Sequence, residues 1–143
     1  MSEIEAIRNL VHHYSDRVCQ GDQEGWLDLW TSDGVWEIGR GPVEGLDALQ
    51  EAIHKSMSLF DSVNQMIFNG TAQTNGDEGN GRWYICEFAK AKSSKAVFYL
   101  GHYDDTYKKI EGNWKFSSRQ LSWLYQGAPD LSGVFGPPPG YNT

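Results

Sequence analysis

The order of helices and strands at the start of this chain is decided by residues 14–36, which read YSDRVCQGDQEGWLDLWTSDGVW. The first part of this stretch completes an amphipathic helix, and Gly21 is placed to end it. A second short helix is predicted through residues 26–30, and it ends at the turn-forming residues 31–34. A short strand over residues 35–38 follows.

The flanking sequence extends this pattern in both directions. Ser2 and Glu5 have the spacing of a capping box, which predicts that the first helix begins there. Residues 39–45 are rich in glycine and predict a loop after the first strand. A third helix follows, marked by apolar residues at helical spacing: Leu46, Leu49, Ile53 and Met57.

Beyond the third helix the apolar period changes to two, which is typical of strands. Four strands are predicted, over residues 63–74, 82–91, 96–110 and 114–125, with turn-forming residues between them. Three helices followed by a four-stranded meander predict an α+β fold. In that fold the helices pack against one face of a bent antiparallel sheet.

The chain of 143 residues has the usual length of a single domain. This domain is expected to cover residues 1–125. Residues 126–143 hold four of the five prolines and show neither a helical nor a strand period. This tail is expected either to be disordered or to fold over the mouth of a pocket.

Charge and composition argue against several classes of function. A net charge of −7 disfavours nucleic-acid binding, which needs clustered Lys and Arg. No apolar run reaches the ~20 residues of a membrane span, and the acidic N-terminus is not a signal peptide. Cys19 and Cys86 fit reduced thiols in the cytoplasm better than a disulfide framework. Phosphate-loop and metal-ligand motifs are missing, so neither a metal nor a nucleotide cofactor is expected.

Aromatic residues make up 13% of the chain, more than a modest core requires. One interpretation is a core that happens to contain large rings. The other is a pocket lined by rings, which suits a flat apolar ligand. Composition alone leaves both open.

Three motifs occur in order along the chain: the stretch 14–36, the loop 41–49, and the strand segment 101–107 that continues through 112–116 to Arg119. Together they resemble the SnoaL-like family of the nuclear-transport-factor-2-like superfamily. The resemblance implies a cone-shaped half-barrel, a pocket between the sheet and the first helices, and a homodimer or homotrimer. That superfamily includes ketosteroid isomerases, scytalone dehydratases and dehydrochlorinases, and also noncatalytic binding subunits.

Two tyrosines become candidate catalytic residues through this resemblance. Tyr14 matches the tyrosine with which ketosteroid isomerases donate a hydrogen bond to an enolate oxygen. Tyr103 lies near the position of their second donor. Two phenols aimed at one ligand oxygen would stabilise negative charge that develops there. The alternative is that both tyrosines are only core residues.

The proton acceptors of these relatives have no counterpart in the chain. The catalytic aspartate of the isomerases falls at Ile38, and the aspartate–histidine dyad of the dehydratases and dehydrochlorinases falls at Cys19 and Gln65. Cys19 could replace them as base or nucleophile if Arg17 or a polar pocket lowers its pKa. A small buried apolar role is the alternative for Cys19.

Arg119 is similar to an arginine that faces the leaving group in the dehydrochlorinases. A guanidinium inside an aromatic cone must be paired or must meet ligand charge. Arg119 is therefore expected either to touch the ligand or to pair with an Asp or Glu. Other residues are expected to bind the substrate or form the walls of the pocket: Arg17, Trp36, Ile38, Gln65, Tyr99 and Trp123.

His102 is a further candidate for substrate binding, since histidine titrates near neutral pH. Strict alternation along its strand points it away from Tyr103, which favours a surface or subunit-contact role. Asp104 and Asp105 are interpreted as solvated carboxylates at the end of a strand.

These features predict a cofactor-independent lyase or isomerase acting on a hydrophobic aromatic, steroid-like or polyketide-like small molecule. The expected reaction is an elimination, such as dehydration or loss of a small carbonyl fragment. The alternative is a noncatalytic small-molecule-binding or accessory subunit with the same fold.

Overall fold

The computed structural model describes residues 1–130 and 132–136. Three helices pack against one face of a curved mixed sheet of seven strands, as the α+β prediction required. The elements are α1 (Glu3–Gln20), α2 (Gln23–Leu27), β1 (Trp30–Glu37), β2 (Val43–Glu44), α3 (Leu46–Ser58), β3 (Phe60–Asn75), β4 (Glu78–Ala91), β5 (Ala96–Ile110), β6 (Asn113–Gly127) and β7 (Val134–Phe135). In these residues no helix is both long and apolar enough to cross a membrane.

The sheet has the strand order β2-β1-β6-β5-β4-β3, and β7 also pairs with β6. All pairs are antiparallel except β1 with β6, which run parallel. The predicted four-stranded meander is antiparallel throughout as strands β3 to β6, and the sheet is mixed because β1 is added parallel to β6. A helix and three long strands separate β1 from β6 in the chain, so no hairpin fixes their relative direction.

The predicted start and end of the first helix are confirmed. The Ser2 side chain accepts from the Glu5 N–H at 3.1 Å, and the Glu5 carboxylate accepts from the Ser2 N–H at 2.8 Å. Gly21 takes a left-handed conformation with φ of 68° as the C-cap, which glycine adopts at little cost. The helix therefore directs its buried face, which includes Tyr14, toward the sheet.

The prediction for residues 26–34 was partly wrong. Helix α2 ends at Leu27, and residues 31–34 lie within β1 rather than in a turn before it. The register of β1 on β6 is irregular between Trp30 and Val35, so the turn-forming residues produce a bulge inside the strand. The rings of Trp26 and Trp30 pack 5.2 Å apart in the core. This tertiary contact brings Trp30 into the sheet.

The C-terminal region departs from the expected boundary. Strand β6 continues to Gly127, two residues beyond residue 125, and β7 pairs with its end at Tyr125 and Gln126. A tail that covers the pocket mouth remains a prediction. Residue 131 and residues 137–143 of that tail lie outside the described residues.

Gly70 allows close packing between β3 and β4. A Cβ atom built there would lie 2.6 Å from the Arg82 carbonyl oxygen and would overlap the ring of Trp83. We therefore expect Gly70→Ala to lower the free energy of unfolding by about 1–3 kcal/mol, the usual cost of overpacking. Urea unfolding measures this, with Asn69→Ala at the exposed neighbouring position as control. Equal stability of the two variants would contradict it.

Candidate functional site

A cavity of about 430 Å³ opens between α1, α3 and the inner face of the sheet. Its lining includes all four predicted wall residues: Trp36, Ile38, Tyr99 and Trp123. The rings of Tyr99 and Trp123 lie 4.7 Å apart, so one side of the cavity is a continuous aromatic surface. This size and lining are those of a site for a small, largely apolar molecule.

Tyr14 from α1 and Tyr103 from β5 meet at the wall of this cavity. Their hydroxyl oxygens are 3.3 Å apart, and the two side chains are 1% and 3% exposed. Burial raises the pKa of each phenol above its ordinary value, so both stay protonated at neutral pH. Only one O–H is used in the mutual hydrogen bond. At least one phenol proton is therefore available to an oxygen atom of a ligand.

Arg119 lies directly behind the two phenols and is 0% exposed. Its guanidinium carbon is 4.3 Å from the centroid of the Tyr14 ring and 3.9 Å from that of the Tyr103 ring. Its Nε and one terminal nitrogen donate to the two carboxylate oxygens of Asp105, at 2.8 and 3.0 Å. Of the two expected roles, the structure shows the paired one. Arg119 is not among the residues that line the cavity, and its expected contact with a ligand stays a prediction.

The ion pair belongs to a longer buried network. The Tyr107 hydroxyl donates to Asp105 at 2.8 Å and accepts from the Trp83 indole N–H at 2.9 Å. The interpretation of Asp105 as a solvated carboxylate was therefore wrong, although Asp104 is partly exposed. Burial alone would lower the pKa of Arg119, but the Asp105 charge and hydrogen bonds outweigh it and raise the pKa. The cation beneath the phenols is permanent.

Glu87 on β4 lines the same cavity and was missed by the sequence analysis. Its carboxylate accepts a hydrogen bond from the Gln65 side-chain nitrogen at 3.1 Å. Burial raises the pKa of Glu87, and this hydrogen bond only partly opposes the rise. Strand alternation could have identified it, because Trp83 and Ile85 lie on the inner face of β4 and Glu87 is the next residue on that face.

Two further predicted site residues, Cys19 and Arg17, lie away from the cavity. The Cys19 sulfur contacts only the backbone of Gln65, at 3.2 and 3.4 Å, and its side chain is exposed. Cys19 is five positions after Tyr14, so its side chain points about 140° away from that of Tyr14 around the helix axis. Arg17 lies 3.6 Å from the Asp22 carboxylate at the start of α2. Neither side chain lines the cavity.

His102 was also expected as a substrate-binding candidate, and the structure places it on the opposite face of the sheet from Tyr103. It is 3% exposed, stacks 5.8 Å from the Tyr84 ring, and has its Nδ1 3.0 Å from an Asp104 oxygen. Strand alternation is the physical reason. Burial lowers the pKa of His102 despite the Asp104 charge, so the ring is neutral at pH 7.

The described residues contain no group of three or more His, Cys, Asp or Glu side chains placed to hold a metal ion. Gln65 is buried in the cavity wall, and both the oxygen and the nitrogen of its side-chain amide form hydrogen bonds. Its oxygen accepts from the Ser15 hydroxyl at 2.8 Å while its nitrogen serves Glu87. The polar groups that line the cavity include two phenols and an oriented carboxylate, and also the side chains of Arg40, Ser56, Tyr99 and Gln126. Such a set suits proton transfer and the binding of an oxygen that becomes negative.

Comparison with known proteins agrees with this architecture. The profile of the SnoaL-like domain matches residues 1–120. No protein of curated function matches the chain in sequence. A Novosphingobium aromaticivorans structure described as a candidate aromatic ring hydroxylase is 25% identical with a TM-score of 0.80, and the match covers 90% of this chain and 91% of that one.

Two further solved structures share the fold. One, proposed to be a scytalone dehydratase from Novosphingobium aromaticivorans, is 20% identical with a TM-score of 0.83 and covers 97% of this chain and 94% of its own. The other, a type 2 hexachlorocyclohexane dehydrochlorinase, is 20% identical with a TM-score of 0.81 and covers 95% and 93%. The profile match over residues 1–120 establishes the family. The chain belongs to the SnoaL-like family, and the solved structures show that it shares their fold.

Proposed function

We propose that this member of the SnoaL-like family is a cofactor-independent lyase or isomerase. Its substrate is a hydrophobic aromatic, steroid-like or polyketide-like small molecule. One observation carries the proposal: the hydroxyls of Tyr14 and Tyr103 lie 3.3 Å apart at the wall of an apolar, ring-lined cavity. An oxygen atom between them would accept hydrogen bonds from both phenols.

The chemistry follows from where negative charge would be held. When a C–H bond next to a carbonyl breaks, negative charge develops on the carbonyl oxygen, and that charge is released when a leaving group departs from the neighbouring carbon. Preorganised donors in a water-poor site stabilise that charge more in the transition state than in the ground state. The Arg119 cation behind the rings opposes the effect of burial on both phenols, which favours this role. Elimination of water or of a small carbonyl fragment fits this arrangement.

A substrate panel tests the proposal without knowledge of the natural substrate. The protein is incubated with phenolic and steroidal alcohols and hydroxyketones of suitable size, and ultraviolet spectra are followed for new conjugation. We expect one class of compound to gain conjugation with the wild type and not with the Tyr14→Phe/Tyr103→Phe double variant. Equal rates in the two proteins would contradict the proposal.

A noncatalytic binding subunit is a second candidate, and one observation favours it. The two positions that hold the dyad in relatives carry Cys19 and Gln65, which contact each other without a free base between them. This candidate predicts that panel compounds quench the fluorescence of Trp36 and Trp123 at micromolar concentration. It also predicts that no product forms during prolonged incubation.

We further propose that the chain acts as a homodimer or homotrimer in the cytoplasm. Large apolar side chains support self-association, since Phe68 is 55% exposed and Phe88 44% exposed. Sedimentation velocity at micromolar concentration would measure the state directly. A monomer at all concentrations would contradict this part of the proposal.

A further inference from the structure

We propose that Glu87 is the proton acceptor of this site and replaces the dyad that the chain lacks. The inference rests on the proposed function and adds the group that moves the proton. Glu87 would take a proton from the substrate carbon while the phenols hold the substrate oxygen. It would then return that proton to the leaving group or to another carbon.

The placement of Glu87 supports this role. In the sheet register Glu87 pairs with Gln65 on β3 and with Tyr99 on β5, so all three side chains share the inner face. All three line the cavity together with Tyr14 and Tyr103. The negative charge of Glu87 contributes to the raised pKa of both phenols, although burial is the main cause. The carboxylate and the phenols therefore act on the same enclosed volume.

Glu87 also lacks the partner that a structural carboxylate would have. Among residues 1–130 and 132–136, no Lys, Arg or His forms an ion pair with it. Its one side-chain hydrogen bond comes from a neutral amide, that of Gln65. An enclosed carboxylate without a cation is costly, and such groups concentrate at functional sites. Asp105, which is more deeply buried than Glu87, has a bidentate arginine and thus serves as a structural comparison.

The hydrogen bond from Gln65 favours the ionised form of Glu87 and partly opposes the effect of burial. The Ser15 hydroxyl donates to the Gln65 oxygen, which leaves the Gln65 NH₂ group to face the carboxylate. An amide N–H stabilises the ionised acceptor, which is the form that a base requires. Gln65 is therefore a positioning residue, and Glu87 is the group that contacts the substrate.

The step is balanced without a cofactor. The C–H bond next to the substrate carbonyl breaks, its proton forms an O–H bond with Glu87, and its electron pair forms the C=C bond of an enolate. The enolate oxygen accepts from Tyr14 and Tyr103. When the enolate collapses, the C–O bond to a neighbouring hydroxyl breaks and Glu87–H supplies the proton that makes the leaving group water. The carboxylate is then regenerated.

Hydrogen–deuterium exchange of 2-tetralone in D₂O tests the first half of this step. This bicyclic aromatic ketone has an acidic C–H next to its carbonyl and no leaving group, so exchange reports proton abstraction alone. Mass spectrometry measures deuterium uptake with wild type, Glu87→Gln and Glu78→Gln. Glu78 is an exposed carboxylate on the same strand and is the matched control.

We expect Glu87→Gln to slow exchange at least a hundredfold, the usual lower range for loss of a general base. Glu78→Gln should stay within twofold of wild type. Binding of 2-tetralone, measured by tryptophan fluorescence, should change less than threefold in Glu87→Gln, which excludes a folding defect. If the wild type exchanges deuterium no faster than Glu87→Gln does, the proposal is overturned. Loss of exchange in Tyr14→Phe but not in Glu87→Gln would overturn only the role of Glu87 and leave the proposed function standing.

A second measurement needs no substrate. Burial raises the pKa of Glu87 in the folded protein above its value in the unfolded chain. Its contribution to stability is therefore present at acid pH and is lost as pH rises through the folded pKa. The phenols that share the cavity do not change charge there, because Tyr14, Tyr99 and Tyr103 have raised pKa values, and Arg40 is a further charged group that lines the cavity.

Thermal unfolding of wild type and Glu87→Gln should thus give similar Tm values at pH 4 and a higher Tm for the variant at pH 8. In the wild type the exchange rate should fall at acid pH with an apparent pKa above the ordinary glutamate value. This fall should disappear in Glu87→Gln. If the Tm difference between Glu87→Gln and the wild type is the same at pH 4 and pH 8, Glu87 is not a buried carboxylate without a compensating cation, and the assignment is overturned.

Discussion

Replacement of Tyr14 or Tyr103 by phenylalanine is expected to lower kcat by about 10²–10³-fold, the usual cost of one oxyanion donor. Each change removes a hydroxyl and keeps the ring, so the stacking on Arg119 and the shape of the cavity persist. The effect should fall on kcat and not on KM, because the hydrogen bonds strengthen only as charge develops on the substrate oxygen. Both 2-tetralone exchange and turnover of any active panel compound can measure it.

The double variant gives a sharper test of the phenol pair. The two hydroxyls are hydrogen-bonded to each other at 3.3 Å, so they act as a unit and their losses should not add. We expect the double variant to be little slower than the slower single variant. Tyr84→Phe is the control, since Tyr84 stacks on His102 on the other face of the sheet. A raised KM with unchanged kcat in both single variants would show ground-state binding only.

Replacement of Asp105 by asparagine is expected to lower the free energy of unfolding by about 3–5 kcal/mol. Asp105 and Arg119 have side chains that are 0% exposed, so no water can replace the lost charge. The variant keeps the size of the side chain and leaves the Arg119 cation buried without a counter-ion. Urea unfolding followed by tryptophan fluorescence measures the loss.

Removal of both charges separates this effect from simple damage to the core. In an Asp105→Leu/Arg119→Met variant no buried charge is left alone, so most of the lost stability should return. The Tyr107 hydroxyl loses its acceptor in this variant, which leaves a smaller deficit. If the free energy of unfolding of Asp105→Asn lies within about 1 kcal/mol of the wild-type value, the ion pair contributes little and the account of the network is wrong.

Arg119 also connects the buried core to the proposed chemistry. Arg119 never reaches the cavity, yet its guanidinium lies 3.9 Å from the Tyr103 ring centroid and 4.3 Å from that of Tyr14. Its positive charge opposes the rise that burial causes in the pKa of both phenols. Arg119 is thus a positioning residue that makes two buried phenols better donors. We therefore expect an indirect electrostatic role for Arg119, in addition to or in place of the leaving-group contact that the resemblance implies.

Local sequence was sufficient for the elements and for part of the site. The capping box at Ser2 and Glu5 and the C-cap at Gly21 depend on residues within one or two turns, so they could be predicted directly. Strand alternation within β5 likewise places the predicted wall residue Tyr99 on the same face as Tyr103. These features need no knowledge of distant neighbours.

The partners of the buried charges could not be predicted in this way. Arg119 meets Asp105 only because β5 and β6 pair in one particular register, and Glu87 meets Gln65 only through the register of β3 on β4. Bulges in both strand pairs shift that register, and no local pattern fixes where they fall. A charged side chain becomes a structural ion pair or a reactive group according to what the folded chain brings beside it. Most of the secondary structure thus followed from short-range sequence, apart from residues 26–34, whereas the proposed base and the proposed role of the arginine depend on long-range packing.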